Sequence, residues 1–467
     1  MASRALDQEQ RLERRRTQFT PVWFEMAAML IIVALIVRQR AFFALAACIL
    51  TVIPVAWWWN RVSLRRLEYE RRFDKRRAFP GEQIKMTVRI TNRKLLPLSW
   101  LEISDEVPMA LPLVDGTLMP TYAPNIGSLH SVLSLRWYER VTREYDLSCR
   151  ARGVHNLGRV KLRSGDLFTL FEECEERESD DRLIVFPRIW SMTDLDLPTK
   201  DPFGERKAHR RLIEDPLRTA GVRDHRPEDS MRRIHWKATA RQGDLQVRVY
   251  EPTTTLNLVI LLNVTTFEHH WQGMLPELFE RTVSVAGSVA TWAIGQKYKV
   301  GLVANGCLAR SDQPARVPPG RSPGQLAAIL EMLAGVTCFP TASIERVLRR
   351  ESPRLPWGAT LLVVTAIVTD GLAEALVNLR DAGRRLAIIS LEGDPPPPLN
   401  GVVTYHATSA LPAFQQSDDA SYDSTQALRA AGLTLGFTPR TPRARVSPST
   451  AAHLEPGTLH VRDKSAG

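Results

Sequence analysis

At positions 256–264 the chain reads LNLVILLNV, and the run ends in a polar turn that offers Asn263, Thr265 and Thr266. The carboxyl end of such a strand is where an open α/β sheet places its ligand. Oxygen groups there suit a hard divalent cation such as Mg²⁺, which takes near-octahedral oxygens and draws charge from one or two carboxylates. This turn supplies an amide and two hydroxyls but no carboxylate. Asp370, after LLVVTAIVT, could add one from a neighbouring strand end, although its place before Gly371 also suits a helix N-cap. The expectation is a polar strand end that hydrogen-bonds and holds no metal or other cofactor. Mg²⁺ is the ion a degenerate site at Asn263, Thr265 and Asp370 would take. Glu268-His269-His270 lacks the helical HExxH spacing of a zinc site.

The stretch upstream is dense in charge. Arg223, Arg226, Arg232, Arg233, Lys237, Arg241 and Arg248 alternate with Asp224, Glu228, Asp229 and Asp244. Interspersed signs favour local pairing, with acids and arginines stapling the segment over a sheet. A second reading is a docking surface anchored by arginine and Trp236. A nucleic-acid patch is the third; the acids and the lone aromatic weigh against it. MRRIHWKATAR has helical potential, with Ile234 and Ala238 on one face and Arg233, Lys237 and Arg241 on another. The expected partner-binding residues are Arg223, Arg226, Asp229, Arg232, Arg233, Trp236, Lys237 and Arg241, for a protein partner and no nucleic acid.

Other chemistry is sparse. The sequence carries no G-x-S-x-G, no Walker lysine loop and no G-x-G-x-x-G after a strand. Five scattered cysteines, none in a CxxC, argue against a disulfide framework and fit a reducing compartment. The expected protein is no enzyme. A cation-dependent adhesion-type module and a hydrolase of unidentified site are the alternative classes.

These residues need elements to hold them. The 467 residues allow two or three domains, and the formal charge of +11 suits anionic partners without choosing among them. After a basic tail (1–20), two apolar runs at 22–37 and 41–59 are separated by Arg38, Gln39 and Arg40. Each is close to the roughly 20 residues that span a bilayer. The expectation is a two-helix transmembrane hairpin (21–60) in contact with lipid. Arg14, Arg15 and Arg16 before it and Arg65, Arg66, Arg71 and Arg72 after it place both termini in the cytoplasm of a bacterial inner membrane. A cleaved signal sequence and a buried soluble hairpin compete with that reading. Residues 61–190 alternate with period two between turn residues, as an antiparallel sandwich does. A connector with the basic signature follows (191–250). Buried runs then alternate with amphipathic helices over 251–412, which specifies a parallel sheet covered on both faces. A Pro-, Ser- and Arg-rich tail (413–467) is expected to be disordered.

The segments CRARGVHNLGRVKLRSGDLFTLF (149–171) and VRDHRPEDSMRRIHWKATARQGDLQVRVYE (222–251) arrive in an order that resembles the bacterial family called domain of unknown function 58, over roughly residues 20 to 410. The resemblance implies a von Willebrand factor A-type (Rossmann-like) α/β domain after the signature and a MoxR-type AAA+ ATPase as neighbour. Assembly or chaperone-like work at the cell envelope follows from it. It also implies the metal motif D-x-S-x-S at Asn263-Val264-Thr265-Thr266-Phe267, where Asn replaces the Asp, Thr the first Ser and Phe the second.

Overall fold

The computed structural model describes residues 40–198, 214–227, 229–231, 234–252, 257–268, 273–308, 311–356, 358–393, 395–396, 398–408, 411–415 and 424–433, with positions 25, 29, 31 and 32 before them. The second apolar run folds as helix α1, Arg40–Ser63. The first run, 22–37, lies outside the described residues apart from those four positions. Among the described residues no helix is long and apolar enough to cross a membrane. This overturns the expected transmembrane hairpin. With it goes the multi-pass inner-membrane placement with both termini cytoplasmic.

The local chemistry shows what the run does instead. Pro54 sits inside α1, where a helix loses one N–H from its ladder. Ile53 and Ala56 are buried against Phe171, with Ile49 and Leu170 beside them, so that face is spent on the neighbouring sheet. Lys94 closes the helix. Its Nζ donates to the carbonyls of Val62 (2.9 Å) and Ser63 in the last turn, where an α-helix leaves carbonyls without intrahelical partners, and to Arg65 just beyond it (3.0 Å). A cation there also meets the negative end of the helix dipole. Burial pulls that ammonium down to about 8.

Eleven short strands follow: β1 (Leu67–Phe73), β2 (Arg77–Ala78), β3 (Gln83–Asn92), β4 (Leu98–Pro108), β5 (Met119–Pro120), β6 (Ile126–Leu135), β7 (Arg140–Ser148), β8 (Gly153–Asn156), β9 (Val160–Gly165), β10 (Glu172–Arg177) and β11 (Arg182–Val185). They form sheets in the orders β1-β3-β7, β10-β9-β4-β6-β5 and β2-β11-β8. Alternation sets the faces. In β3, Ile84, Met86, Val88 and Ile90 turn inward, and in β4 Leu101, Ile103 and Val107 meet them in one core. Asp105 also points inward and is discussed below.

Next come strand β12 (Glu214–Asp224), helix α2 (Trp236–Gln242) and strand β13 (Gln246–Pro252). The two strands pair with each other as an antiparallel ribbon, and Ile234 adds a single bridge to Val247. The α/β body comprises β14 (Asn257–Leu262), α3 (Pro276–Gly295), β15 (Lys299–Leu308), β16 (Ser311–Gly320), α4 (Gln325–Gly335), β17 (Val336–Pro340), α5 (Ile344–Glu351), β18 (Thr360–Thr365), α6 (Asp370–Asp381), β19 (Arg385–Ser390) and β20 (Val402–His406). Its sheet runs β16-β15-β14-β18-β19-β20, with β17 also on β15. The central pairs are parallel, while β16 and β17 run antiparallel to β15. Sheet therefore dominates the described residues and helices are few, a second correction to the expected fold class. SDQPARVPPG (311–320) is a full strand paired antiparallel on the edge of β15.

Strand β14 is apolar on both sides because both faces are covered. Leu258, Ile260 and Leu262 join α3 and α4 in one core, and Val259 and Leu261 join α5 and α6 in another. The first core also takes in Phe79, Phe186, Ile189 and Trp190 from the end of the β-rich region. Trp190 meets Phe414 edge-on at 4.9 Å, and its backbone N–H donates to Ser288 Oγ at 2.9 Å. Arg152, between β7 and β8, reaches across to α3 and α4. Phe414 and Leu428 are buried in the same core, so packing continues past residue 412.

Candidate interaction site

The order of strands reverses at β14, with β15 on one side and β18 on the other, so the crevice beyond their carboxyl ends is the switch point of the sheet. Asn263 stands there, 4% exposed. Its backbone N–H donates to the Val364 carbonyl at 2.9 Å, which continues the ladder by one residue. Its Oδ1 accepts from Asn305 Nδ2 (2.8 Å), from Thr265 Oγ1 (2.5 Å) and from the Thr265 N–H (3.3 Å). Its Nδ2 donates to Thr365 Oγ1 at 3.0 Å, and that hydroxyl donates to the Ile367 carbonyl at 2.7 Å. Backbone groups fix the amide of Asn305: Val264 N–H needs an acceptor and finds Asn305 Oδ1 at 2.8 Å, while the Ala342 carbonyl takes Nδ2 at 3.3 Å. Thr266 Oγ1 accepts from Leu275 N–H at 3.1 Å and ties down the turn before α3.

Three donors thus converge on the one oxygen a cation would use. A metal binds lone pairs, so its entry at Asn263 requires breaking these hydrogen bonds. Asp370 does not join the cluster. It is exposed in the first turn of α6, where a carboxylate suits the helix dipole. The N-cap of α6 is Thr369, whose Oγ1 accepts from Leu372 N–H at 3.3 Å, so Asp370 is not the cap. No group of three or more His, Cys, Asp or Glu among the described residues could hold a metal ion. Asn305 and Thr365 are the members that sequence reading missed. Their signal was a polar residue closing or interrupting an apolar run, in KVGLVANG and LLVVT.

Asn263→Ala removes the shared acceptor and strands Asn305 Nδ2 and the Thr265 donors in a buried place. The expected loss is about 1–3 kcal/mol, read from the urea midpoint, and equal in Mg²⁺ and in EDTA. A loss that appears only when Mg²⁺ is present would show that an ion occupies the site.

The basic signature divides. Arg223 grips Asp229 with both terminal nitrogens, at 2.7 and 2.6 Å, and the Arg226 N–H adds a bond at 2.9 Å. The hydrogen bond from Arg223, then that from the Arg226 backbone, hold the Asp229 carboxyl below its usual range. Asp224 Oδ1 accepts from Gln246 Nε2 at 2.6 Å. Arg232 and Arg233 lie outside the described residues. The helix is shorter than the pattern predicts. Ile234 forms a bridge to Val247 and is buried, so it belongs to the ribbon. His235 then caps α2, its Nδ1 accepting from Ala238 N–H at 3.1 Å, and Gly243 ends it at φ 82°, where a side chain would be strained. Trp236 opens α2 and is 66% exposed; Met231 is 65% exposed, and Val222 and Leu245 are also open to solvent. Arg226, Lys237, Arg241 and Arg248 are exposed as well. Among the described residues, none of these four has an ion-pair partner.

Residues 221–394 match the family model described as Protein of unknown function DUF58. The DUF58 match begins on the ribbon and runs through β19. The chain is also similar to the uncharacterized protein YeaD of Bacillus subtilis (strain 168), 25% identical over 337 residues that cover 71% of this chain and 77% of that one. Solved structures overlap poorly. The sporulation control protein Spo0M from Bacillus subtilis gives a TM-score of 0.17 at 12% identity over 26% of this chain and 49% of its own. An inactive mutant of a family 20 exo-β-N-acetylglucosaminidase from Vibrio harveyi gives 0.19 at 8% identity over 73% and 78%. Overlaps this weak place neither fold nor function.

A serine–histidine bond does occur, Ser390 Oγ to His406 Nδ1 at 2.8 Å, at adjoining strand ends. Ser390 is fully buried, so its oxygen cannot meet a substrate. The pair ties β19 to β20.

Proposed function

We propose that this protein is a non-enzymatic interaction or adaptor protein whose partner is another protein. The carrying observation is the ribbon: its acids Asp229 and Asp224 are held by Arg223 and Gln246, while Trp236, Met231 and four cations face solvent. Tryptophan and arginine are among the residue types enriched at binding hot spots. A von Willebrand A-like body is part of this reading. The reversal of strand order at β14 and the antiparallel edge strand β16 support it, with an amide knot at Asn263 where the metal motif would begin. The partner proposed, from the DUF58 resemblance, is a MoxR-type AAA+ ATPase, and the work is assembly or chaperone-like. Capture of the purified ATPase by the full chain is expected to survive EDTA. Capture abolished by chelator and restored by Mg²⁺ would replace this reading with a cation-dependent one.

A further inference from the structure

We infer that the ribbon face around Trp236 receives an acidic protein segment that carries an apolar side chain. The inference rests on the adaptor reading and names the chemistry of the occupant. Lys237 and Arg241 are four positions apart on α2, so they share a face one turn apart. Arg226 lies in the turn after β12, and Arg248 lies on β13 opposite Val222. Lys237, Arg241 and Arg226 accompany the exposed apolar side chains Trp236, Met231 and Leu245, each more than 40% exposed, on the side where Arg223 holds Asp229, whereas Val222 and Arg248, one position along the ribbon, face the other way. The ribbon forms a sheet of its own, and a two-stranded ribbon is marginal in water until something covers it.

Charge and shape together choose the occupant. Carboxylates would answer Lys237, Arg241 and Arg226, and an aliphatic or aromatic side chain would cover the indole. A nucleic-acid backbone fits worse. Single-strand binding stacks successive bases on several aromatics, and Trp236 is the one such side chain among the described residues 225–245. Arg223 neutralises Asp229 within the ribbon, so the exposed cations are opposed there by Asp224 and Asp244 alone among the described acids.

The test uses the full chain and a dye-labelled synthetic helical peptide of glutamate, alanine and leucine, followed by fluorescence anisotropy at physiological salt. The expected result is saturable binding that weakens at least about tenfold in Trp236→Ala and in the double variant Lys237→Glu/Arg241→Glu. The double variant should recover affinity for the same peptide with lysine in place of glutamate. Circular dichroism and urea midpoints matching the parent chain confirm that the variants fold, as expected for exposed positions. Binding indifferent to both variants overturns the assignment. So does a single-stranded oligonucleotide of equal charge that binds more tightly than the peptide. If ATPase capture succeeds but the peptide fails these tests, the surface assignment falls and the adaptor reading stands. If the peptide passes and capture fails, the surface stands without that partner.

Discussion

Replacing Arg152 with alanine is expected to loosen the joint between the β-rich region and the α/β body, lowering stability by about 3 kcal/mol. The side chain is 6% exposed and makes bonds to two helices at once. Nε and one terminal nitrogen grip Glu280 of α3 at 2.7 Å each. The other terminal nitrogen donates to the carbonyls of Leu333, Ala334 (3.2 Å) and Val336 (3.1 Å), at the end of α4. Those carbonyls have no partners within the helix, and a cation meets the negative end of its dipole. The guanidinium also lies 5.1 Å from the Phe279 ring centroid. Glu280 is 46% exposed, so water takes over its charge when the arginine is lost. The cost comes mostly from the buried carbonyls. Lysine should rescue little, since a single ammonium cannot serve Glu280 and the helix end together. The measurement is urea unfolding followed by tryptophan fluorescence and by far-UV circular dichroism. In the variant the two signals should no longer coincide. Coincident curves with an unchanged midpoint would mean that the apolar contacts of Trp190 and Phe186 hold the joint alone.

Arg152 also marks where sequence reading stops. Glu280 and Val336 lie more than a hundred positions away, so no local spacing reveals the clamp. Period-two alternation in KMTVRIT was legible because one face of β3 is buried and the other is wet. The run LNLVILL was legible because β14 is covered on both sides. Helicity in 41–59 could be read too, but its covering could not: Phe171 and Lys94 come from distant parts of the chain. At the strand end, Asn263 and Thr265 were visible because they interrupt an apolar run. Asn305 and Thr365 reach them only because parallel strands bring three carboxyl ends side by side. In the signature, alternating signs suggested pairing throughout, yet among the described residues Arg223 takes Asp229 while Asp224 bonds to Gln246. The bridge between Ile234 and Val247 withdraws Ile234 from the helix, and Trp236, the first residue of α2, is exposed.

The other large effect is expected in the β-rich core. Arg71 and Asp105 bond at 2.8 Å with side chains 1% and 2% exposed. Arg71 also donates to the Gly158 carbonyl at 3.0 Å and lies 3.4 Å from Asp181, and Tyr69 donates its hydroxyl to the second oxygen of Asp105. Burial raises the Asp105 carboxyl, and the neighbouring Arg71 pulls it back down. Arg71→Met removes the counter-charge and leaves the carboxylate in an apolar sheet interface, which should cost about 3–5 kcal/mol at neutral pH. The pH dependence has a defined sign. Without Arg71 the folded carboxyl binds its proton more tightly than the unfolded one. The folded state is therefore favoured as pH falls, and the deficit of the variant should shrink on acidification. Replacing the whole cluster, as Arg71→Met with Asp105→Leu and Tyr69→Phe, removes the buried charge together with the groups that serve it. That triple variant should be more stable than Arg71→Met alone, because similarly shaped apolar groups fill a buried ion-pair site at little cost. Urea midpoints of the single and triple variants across acid and neutral pH make the comparison. A triple variant no better than the single one, with a deficit that ignores pH, would mean that Arg71 acts by filling space and that its charge contributes nothing.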